Sequence, residues 1–356
     1  MRQGEVFYTS KSVDTHGVAN GSQKGSGVKD QVVGVIGLGP VGTILGAHLA
    51  RSGVKVFGVE LVAERSRQVA TDGLLVVGHT QLHERVAGCF GNIAELSRVE
   101  GLGAVFLCTK TYAIHRVMTE FAKHSWPEEM RVVALMNGIG PEDAIGEHID
   151  KDRVCRGVVN YAGNLSDDGA ATMHWFHPPN LIGPATDRDG EWAAKMAETL
   201  SVAGLATVNV SHVDLKKAAF YKTILNSALN ALCAAHGLTM NQAMQLKHTR
   251  RMARDLLREG LAVAAMVGYN YGEDVLDRCM KYLEDGGNHY PSMWFDLKHR
   301  RPTEIEFMNG KIVGIGRMFR NVDVDLNQFF TSAIVTQEIR NGTRARDDVP
   351  DYLVEE

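Results

Sequence analysis

Apolar and polar positions follow two patterns along the chain. Up to about residue 210, short apolar runs alternate with helical stretches, and the first two runs are Val32 to Ile36 and Val54 to Val59. A strand, a helix and a second strand in about thirty residues predict the right-handed βαβ unit of a parallel sheet. After Ser211 the apolar positions have long helical periodicity, as in Met252 to Gly268. We therefore predict an α/β domain followed by an all-helical domain.

A glycine-rich turn joins the first predicted strand to the first predicted helix. Glycines stand at the first, third and sixth positions of this turn. The first permits the tight turn, the second lets the backbone approach a pyrophosphate, and the third lets the helix pack close to the strand. Because the turn follows a strand and opens a helix, we predict that it binds a dinucleotide. The residues of the predicted site are Gly37, Leu38, Gly39, Pro40, Val41 and Gly42.

An acidic residue, Glu60, ends the second apolar run. It lies about 20 residues after the first glycine, where a carboxylate can accept hydrogen bonds from the adenosine ribose hydroxyls. A carboxylate there would repel a 2′-phosphate, so it favours NADH over NADPH. Two alternatives remain open: Glu60 is a solvated strand end, or Arg65 and Arg67 bind the 2′-phosphate.

These patterns divide the chain into four parts. We predict a flexible extension at residues 1–30, a dinucleotide-binding domain at 31–210, a helical domain at 211–345 and a charged, frayed tail at 346–356. The extension has no apolar block and is rich in Gly, Ser, Lys and Asp, so it does not have the pattern of a secretory signal. The expected location is therefore cytoplasmic.

Composition excludes several classes of protein. A formal net charge of -4 argues against a nucleic-acid binder that works through a broadly basic surface. The five cysteines form no CxxC pair, so we expect small buried thiols and neither a disulfide framework nor a metal site. No apolar run is long enough to span a bilayer, so no membrane partner is expected.

Polar residues follow two further apolar runs. Lys110 comes just after Ala104 to Cys108, and Asn137 comes just after Arg131 to Met136. Ligands of open α/β sheets bind at the carboxyl ends of the strands. Both residues are therefore candidates for the site, and a loop lysine and a turn asparagine are the alternatives.

Three polar residues recur at a spacing of four in an apolar helical segment: Lys222, Asn226 and Asn230. Each step of four residues turns a helix by only about 40°, so the three lie on one stripe. A lysine among apolar neighbours needs a polar or negative partner. An exposed stripe on an amphipathic helix is the alternative.

A second informative segment runs from Ser292 to Gly310. Its Pro-Thr-Glu sequence is typical of a helix start, with Thr303 as a cap and Glu304 near the positive end of the helix. Residue chemistry alone leaves the role of this segment open.

The chain resembles the ketopantoate reductase (2-dehydropantoate 2-reductase) family over roughly residues 31 to 340. The resemblance depends on the order and spacing of five motifs. They are the glycine turn, CTK at 108–110, LMNGIG at 135–140, the polar stripe, and a segment with Ser292, Met293, Asp296, Arg301, Thr303, Glu304, Ile305, Asn309 and Gly310.

The resemblance implies a Rossmann domain followed by a helical domain, and NAD(P)H-dependent reduction of a 2-keto acid to a 2-hydroxy acid. The leading case is ketopantoate to pantoate, so the expected partner is a small 2-keto acid, and a homodimer is the assembly that we consider. The implied roles are a proton donor in Lys222, a partner of that lysine or of the substrate hydroxyl in Glu304, substrate binding by Asn226, Asn230 and Ser292, and contact with the cofactor and its nicotinamide side by Lys110 and Asn137.

Three departures from the family pattern matter. Members usually prefer NADPH and often have a basic residue just after the second strand, where this chain has Glu60 and Leu61. Tyr290-Pro291 stands where small hydroxyl residues are common, and Glu306 replaces an aspartate. We therefore expect NADH to be favoured and the substrate pocket to be reshaped. The alternatives are a related NAD-dependent dehydrogenase for another small keto or hydroxy substrate, and a non-catalytic nicotinamide sensor.

Overall fold

A computed structural model of the chain describes residues 31–354. The extension expected at residues 1–30 and the last two residues of the expected tail lie outside the described residues. The described chain forms two compact units. Unit 1 comprises residues 31–109, 113–136 and 142–215, and unit 2 comprises residues 110–112, 137–141 and 216–354.

From residue 32 to residue 209 strands are interspersed with helices, and two runs of consecutive strands interrupt the alternation that the apolar runs predict. In chain order the elements are β1 (Val32–Ile36), α1 (Pro40–Arg51), β2 (Lys55–Val59), α2 (Ala63–Asp72), β3 (Leu74–Gly78), β4 (Leu82–Glu84), β5 (Gly88–Phe90), α3 (Ile93–Leu96), β6 (Leu102–Leu107), α4 (Ile114–Phe121), β7 (Arg131–Ala134), α5 (Pro141–Gly146), β8 (Val154–Val158), β9 (Tyr161–Leu165), β10 (Ala171–Phe176), β11 (Asn180–Pro184), α6 (Gly190–Val202) and β12 (Thr207–Asn209).

The main sheet of unit 1 has eight strands in the order β12-β11-β8-β7-β6-β1-β2-β5. Neighbouring strands pair in parallel except for β11 and β8, so β11 and β12 run opposite to the other six strands. The central strands read as nearly continuous apolar runs because parallel sheets are covered on both faces. This confirms the predicted α/β domain and its Rossmann-like parallel order.

A second sheet of four strands, in the order β4-β3-β10-β9, completes unit 1. Helix α1 packs against this sheet as well as against the main one, and it is buried from Gly42 to Leu49. A Cβ atom added to Gly46 would lie 2.7 Å from the Leu74 side chain of β3. The sequence did not predict this sheet, since its strands are short and β3 pairs with β10, where Val76 faces Ala171.

Unit 2 is helical, as predicted. Its helices are α7 (His212–His236), which begins at the end of unit 1, α8 (Met240–Gln245), α9 (Lys247–Met266), α10 (Val275–Glu284), α11 (Ser292–Lys298), α12 (Asn309–Gly316) and α13 (Asp325–Asn341), with 3₁₀ turns at Ile305–Phe307 and Asp351–Leu353. Among residues 31–354 no helix combines the length and the apolar character that crossing a bilayer requires.

A buried amide joins three helices of unit 2. The Asn309 side chain of α12 donates to the Ser227 carbonyl oxygen of α7 at 3.1 Å and to the Asn327 Oδ1 atom of α13 at 3.0 Å. Asn327 in turn donates to Glu259 Oε2 of α9 at 2.7 Å. Buried polar groups of this kind need partners, and here each of these amides joins its own helix to a neighbour.

Candidate dinucleotide and active sites

The glycine turn of unit 1 has the backbone that a dinucleotide site requires. Gly37 has φ +92°, which only glycine adopts without strain. A side chain at Gly42 would collide with the Gly37 carbonyl oxygen, whereas a Cβ at Gly39 would meet nothing within 4 Å. Close packing at the third glycine and open space at the second therefore fit a bound pyrophosphate.

The residues between the glycines divide between core and site. The Leu38 side chain is 1% exposed and belongs to the core of unit 1, so only its backbone faces the turn. Pro40 is the first residue of α1, where a missing N–H costs nothing. Val41 is half-buried against the core cluster.

Glu60 is fixed against the glycine turn. Its Oε2 atom accepts a hydrogen bond from the Leu38 N–H at 3.2 Å, and its Oε1 atom accepts one from the Val62 N–H at 3.0 Å. Each carboxylate oxygen has a second lone pair for a ribose hydroxyl. The geometry therefore fits the role expected from the sequence, which stays a prediction.

The two arginines that could oppose Glu60 have different surroundings. Arg67 is exposed, whereas the Arg65 guanidinium donates to Thr43 Oγ1 at 3.2 Å and to Gln68 Oε1 at 3.0 Å. Burial lowers the pKa of Arg65, and the Glu60 carboxylate acts in the opposite direction. Sequence reasoning gave no role to Thr43 or Gln68.

In unit 2, Lys110 lies between two buried carboxylates. Its Nζ atom is 2.7 Å from Asp296 Oδ2 and 3.4 Å from Glu304 Oε2. Burial opposes the charge of the ammonium group, but Glu304 and then Asp296 outweigh it, so the pKa of Lys110 lies above its ordinary value. Asp296 also pairs with Arg301, whose Nη2 atom is 3.1 Å away.

Glu304 therefore has a lysine partner that the sequence did not assign to it. The resemblance gave it Lys222 or a substrate hydroxyl, and the structure pairs it with Lys110 and with the Thr111 N–H, at 3.0 Å from Oε1. The resemblance placed Lys110 at the cofactor, and that contact remains a prediction beside the observed ion pairs. The motif segment contained Asp296 without a role, and its position four residues after Ser292 gave no signal that it would face Lys110.

A network behind Glu304 holds its segment in place. The buried Glu338 of α13 accepts from the Thr303 N–H at 2.6 Å and from Arg344 Nε at 2.7 Å. Arg344 also donates to Glu306 Oε1 at 2.5 Å. Glu306, the replacement for the usual aspartate, thus contacts a residue at the end of the helical domain.

The described part of the expected frayed tail makes contacts within unit 2. The Arg344 Nη1 atom just before it donates to the Asp348 carbonyl oxygen at 3.1 Å. A side chain at Gly310 of α12 would collide with the Tyr352 hydroxyl. The charged composition predicted a frayed end because it does not reveal these two contacts.

The polar stripe lies on α7 as the spacing predicts. Lys222 and Asn226 are half-buried, and Asn230 is 8% exposed, with its amide 3.7 Å from Met308 Sδ. These burial values exclude a solvent-exposed stripe. A role of the three residues in catalysis and substrate binding remains a prediction.

Asn137 and Ser292 have different surroundings. The loop of half-buried Asn137 packs on the 3₁₀ turn after Glu304, where Ile139 N–H donates to the Phe307 carbonyl oxygen at 2.9 Å. Ser292 is exposed at the start of α11. Next to it Tyr290 stacks on Trp294, with ring centroids 3.7 Å apart.

Comparison with known proteins gives two family matches and many relatives. The ketopantoate reductase PanE/ApbA model matches residues 33–184, and the model of the C-terminal part of that family matches residues 214–338. Over 298 residues the chain is 27% identical to a 2-dehydropantoate 2-reductase of Archaeoglobus fulgidus, covering 84% of this chain and 95% of the relative. It is 26% identical to one of Lactococcus lactis over 309 residues, covering 85% and 97%.

Solved structures share the fold. D-mandelate dehydrogenase with NADH and anilino(oxo)acetate superposes with a TM-score of 0.77 at 22% identity, covering 88% of this chain and all of that one. A dimeric ketopantoate reductase from Staphylococcus aureus gives a TM-score of 0.67 at 21% identity, covering 87% and 100%. With both halves matched in order, the chain belongs to the ketopantoate reductase family and is a nicotinamide-dependent oxidoreductase that acts on a CH–OH group.

Proposed function

We propose that this protein reduces a 2-keto acid to the 2-hydroxy acid, with 2-dehydropantoate as the leading substrate. The two relatives described above are named for their action on that compound. The observation that carries the proposal is the half-buried stripe on α7, where a lysine and two asparagines share one helix face in a chain of this family.

Lys222 supplies the proton in this proposal. The reduced nicotinamide, when bound, supplies a hydride to the carbonyl carbon, and the oxygen becomes negative. A lysine ammonium is ordinarily protonated at neutral pH, so it can both stabilise that charge and donate the proton. Asn226 and Asn230 offer amide donors and acceptors for the carboxylate and hydroxyl groups of the substrate.

Glu304 binds a substrate hydroxyl in this proposal. One oxygen accepts from the Thr111 N–H and the other pairs with Lys110, so the carboxylate has a fixed orientation. Its remaining lone pairs are available to a hydroxyl donor. Lys110 pairs with the buried carboxylate through its Nζ atom and contacts the cofactor side of the substrate in this proposal.

A substrate panel tests the reaction. The purified full-length protein is assayed with NADH and NADPH against ketopantoate, 2-ketoisovalerate, pyruvate and phenylglyoxylate. We expect the highest kcat/KM with ketopantoate. If the folded protein binds the dinucleotide and turns over none of these acids, a nicotinamide sensor replaces the enzyme as the proposed function.

A second candidate is an NAD-dependent dehydrogenase of an aromatic 2-hydroxy acid. The stacked rings of Tyr290 and Trp294 flank Ser292, and Tyr290-Pro291 stands where the family commonly has small hydroxyl residues. A structure with this fold is that of D-mandelate dehydrogenase. A higher kcat/KM for phenylglyoxylate than for ketopantoate would favour this candidate.

We propose NADH as the cofactor because Glu60, which accepts a hydrogen bond from the Leu38 N–H of the glycine turn, can also accept from the ribose hydroxyls. Calorimetry with both dinucleotides tests this. We expect tighter binding of NADH, and Glu60→Ala should narrow the difference mainly by weakening NADH. The exposed Glu64 of the same segment provides the control, because Glu64→Ala removes a carboxylate that contacts no part of the glycine turn in the described structure. Tighter NADPH binding by the unmodified protein would contradict the proposal.

A homodimer is the proposed assembly, and a dimeric ketopantoate reductase is among the structures with this fold. Sedimentation velocity at several protein concentrations tests it. A species of twice the chain mass is expected, and a monomer at all concentrations would contradict it.

A further inference from the structure

The Arg65 side chain is half-buried, and neighbouring side chains of unit 1 hold its guanidinium group. It begins in α2, five residues after Glu60, and its two terminal nitrogens donate to Thr43 and Gln68. In the described part of the chain its Nε atom is buried and has no hydrogen-bond partner. The guanidinium is therefore held by two hydrogen bonds, while its Nε–H donor forms none with the residues described.

A turn from the second sheet closes over this arginine. The turn joins β9 to β10, and Gly169 within it has φ +84°. A side chain at Gly169 would collide with Arg65 Nη1 and with Gln68 Oε1. Gln68 is itself anchored to the turn, because its Nε2 atom donates to the Asp168 carbonyl oxygen at 2.5 Å.

The position of the Arg65 guanidinium matters for the charge that a bound ribose would meet. Thr43 Oγ1, which accepts from Arg65, donates to the Leu38 carbonyl oxygen at 2.9 Å. The Leu38 N–H donates to Glu60, so the guanidinium lies close to the carboxylate. A guanidinium that was free to move there could bind a 2′-phosphate with charge-assisted hydrogen bonds and cancel the repulsion from Glu60. Gln68 and Thr43 instead take both terminal nitrogens of Arg65.

We propose that Gln68, anchored on the β9–β10 turn, is a specificity-determining residue that keeps the Arg65 guanidinium on Thr43 and away from the 2′ position of the ribose. This inference rests on the proposed preference for NADH. It assigns selectivity to a positioning residue that acts through Arg65, to which its Oε1 atom is hydrogen-bonded.

Binding of adenosine probes tests the proposal without any turnover. Isothermal calorimetry measures 2′,5′-ADP and 5′-AMP, and then NADPH and NADH, with the full-length protein and its variants. Gln68→Ala should bind 2′,5′-ADP and NADPH about ten- to hundredfold more tightly than the unmodified protein, the gain from one charge-assisted hydrogen bond. Binding of 5′-AMP and NADH should change by less than about twofold.

Two further variants identify the arginine responsible. Adding Arg65→Ala to Gln68→Ala should abolish the gain, whereas adding Arg67→Ala, on the exposed arginine of the same helix, should preserve it. Gln68→Met removes the amide at similar volume and should behave like Gln68→Ala.

Specific results would overturn the proposal. One is unchanged 2′,5′-ADP affinity in both Gln68 variants while 5′-AMP still binds. Another is an equal loss of affinity for both probes in Arg65→Ala, which would assign the arginine to a group that the two probes share and not to the 2′-phosphate. If the unmodified protein prefers NADPH, only the proposed NADH preference is contradicted, and the change in 2′,5′-ADP affinity on Gln68 substitution still tests the role of Gln68. If Arg65→Ala abolishes that NADPH preference, the role of Gln68 is contradicted as well.

Discussion

At the scale of single residues, proton donation by Lys222 is the step on which the proposed chemistry depends. Lys222→Ala should lower kcat by about 10²- to 10⁴-fold, because that is the usual contribution of a general acid. The Kd of the dinucleotide should stay nearly unchanged, since the glycine turn belongs to unit 1. Stopped-flow assays and calorimetry measure the two quantities. Lys247→Ala, on an exposed lysine of α9, is the control. A Lys222→Ala enzyme with near-normal kcat would refute the mechanism.

Lys110 allows a pH test of its ion pairs. Its pKa is raised in the folded protein, so the stabilisation is fully present below the ordinary lysine pKa of about 10.4 and is lost as the pH rises through the folded value. The gap in unfolding free energy between the unmodified protein and Lys110→Met should be constant from about pH 7 to 10 and should shrink above that. Urea titrations measure it. A gap that stays the same up to about pH 11.5 would contradict the assigned charge pair.

At the scale of elements, the strand–turn–helix of the glycine segment separates binding from folding. Gly39→Val fills open space and should abolish dinucleotide binding, with little change in Tm. Gly42→Val places a side chain against the Gly37 carbonyl oxygen and should lower Tm strongly. Calorimetry and thermal melting compare the two variants. Unchanged dinucleotide affinity in Gly39→Val would mean that the segment is only a turn.

The glycine segment was predictable because its signal is local. A buried strand, three spaced glycines and an apolar helix fit within twenty residues of sequence, and the structure has β1 and α1 there. The pairing of β3 with β10 and of Lys110 with Glu304 was not predictable in this way. The lysine and the glutamate are 194 positions apart, and periodicity carries no information about such contacts.

At the scale of the whole molecule, the ion pairs of Arg344 join α13 and the end of the chain to the Glu304 segment. Arg344→Met leaves the Glu338 carboxylate, which is 1% exposed, without its positive partner. The loss of one partner of a buried pair costs about 3–5 kcal/mol of unfolding free energy. Arg340→Met, at an exposed arginine of α13, should lower the unfolding free energy by less than about 0.5 kcal/mol.

Urea denaturation provides both values, and the double variant Arg344→Met/Glu338→Leu separates charge from packing. Because it removes both charges, it should recover part of the stability that Arg344→Met loses. Equal stability of Arg344→Met and the unmodified protein would show that the buried carboxylate does not need this arginine.

Unit 2 combines residues that lie far apart in the sequence, because residues 110–112 belong to it together with the helices after residue 215. The ammonium group that pairs with Asp296 and Glu304 is carried by residue 110, which leaves the ribosome long before either carboxylate. A fragment expressed from residue 211 onward would contain both carboxylates and the arginine of Asp296, but not the lysine between them. Dividing the gene at the change from strands to helices therefore yields a second half in which two buried carboxylates lack their ammonium partner, and that half should unfold more readily than unit 2 of the undivided chain.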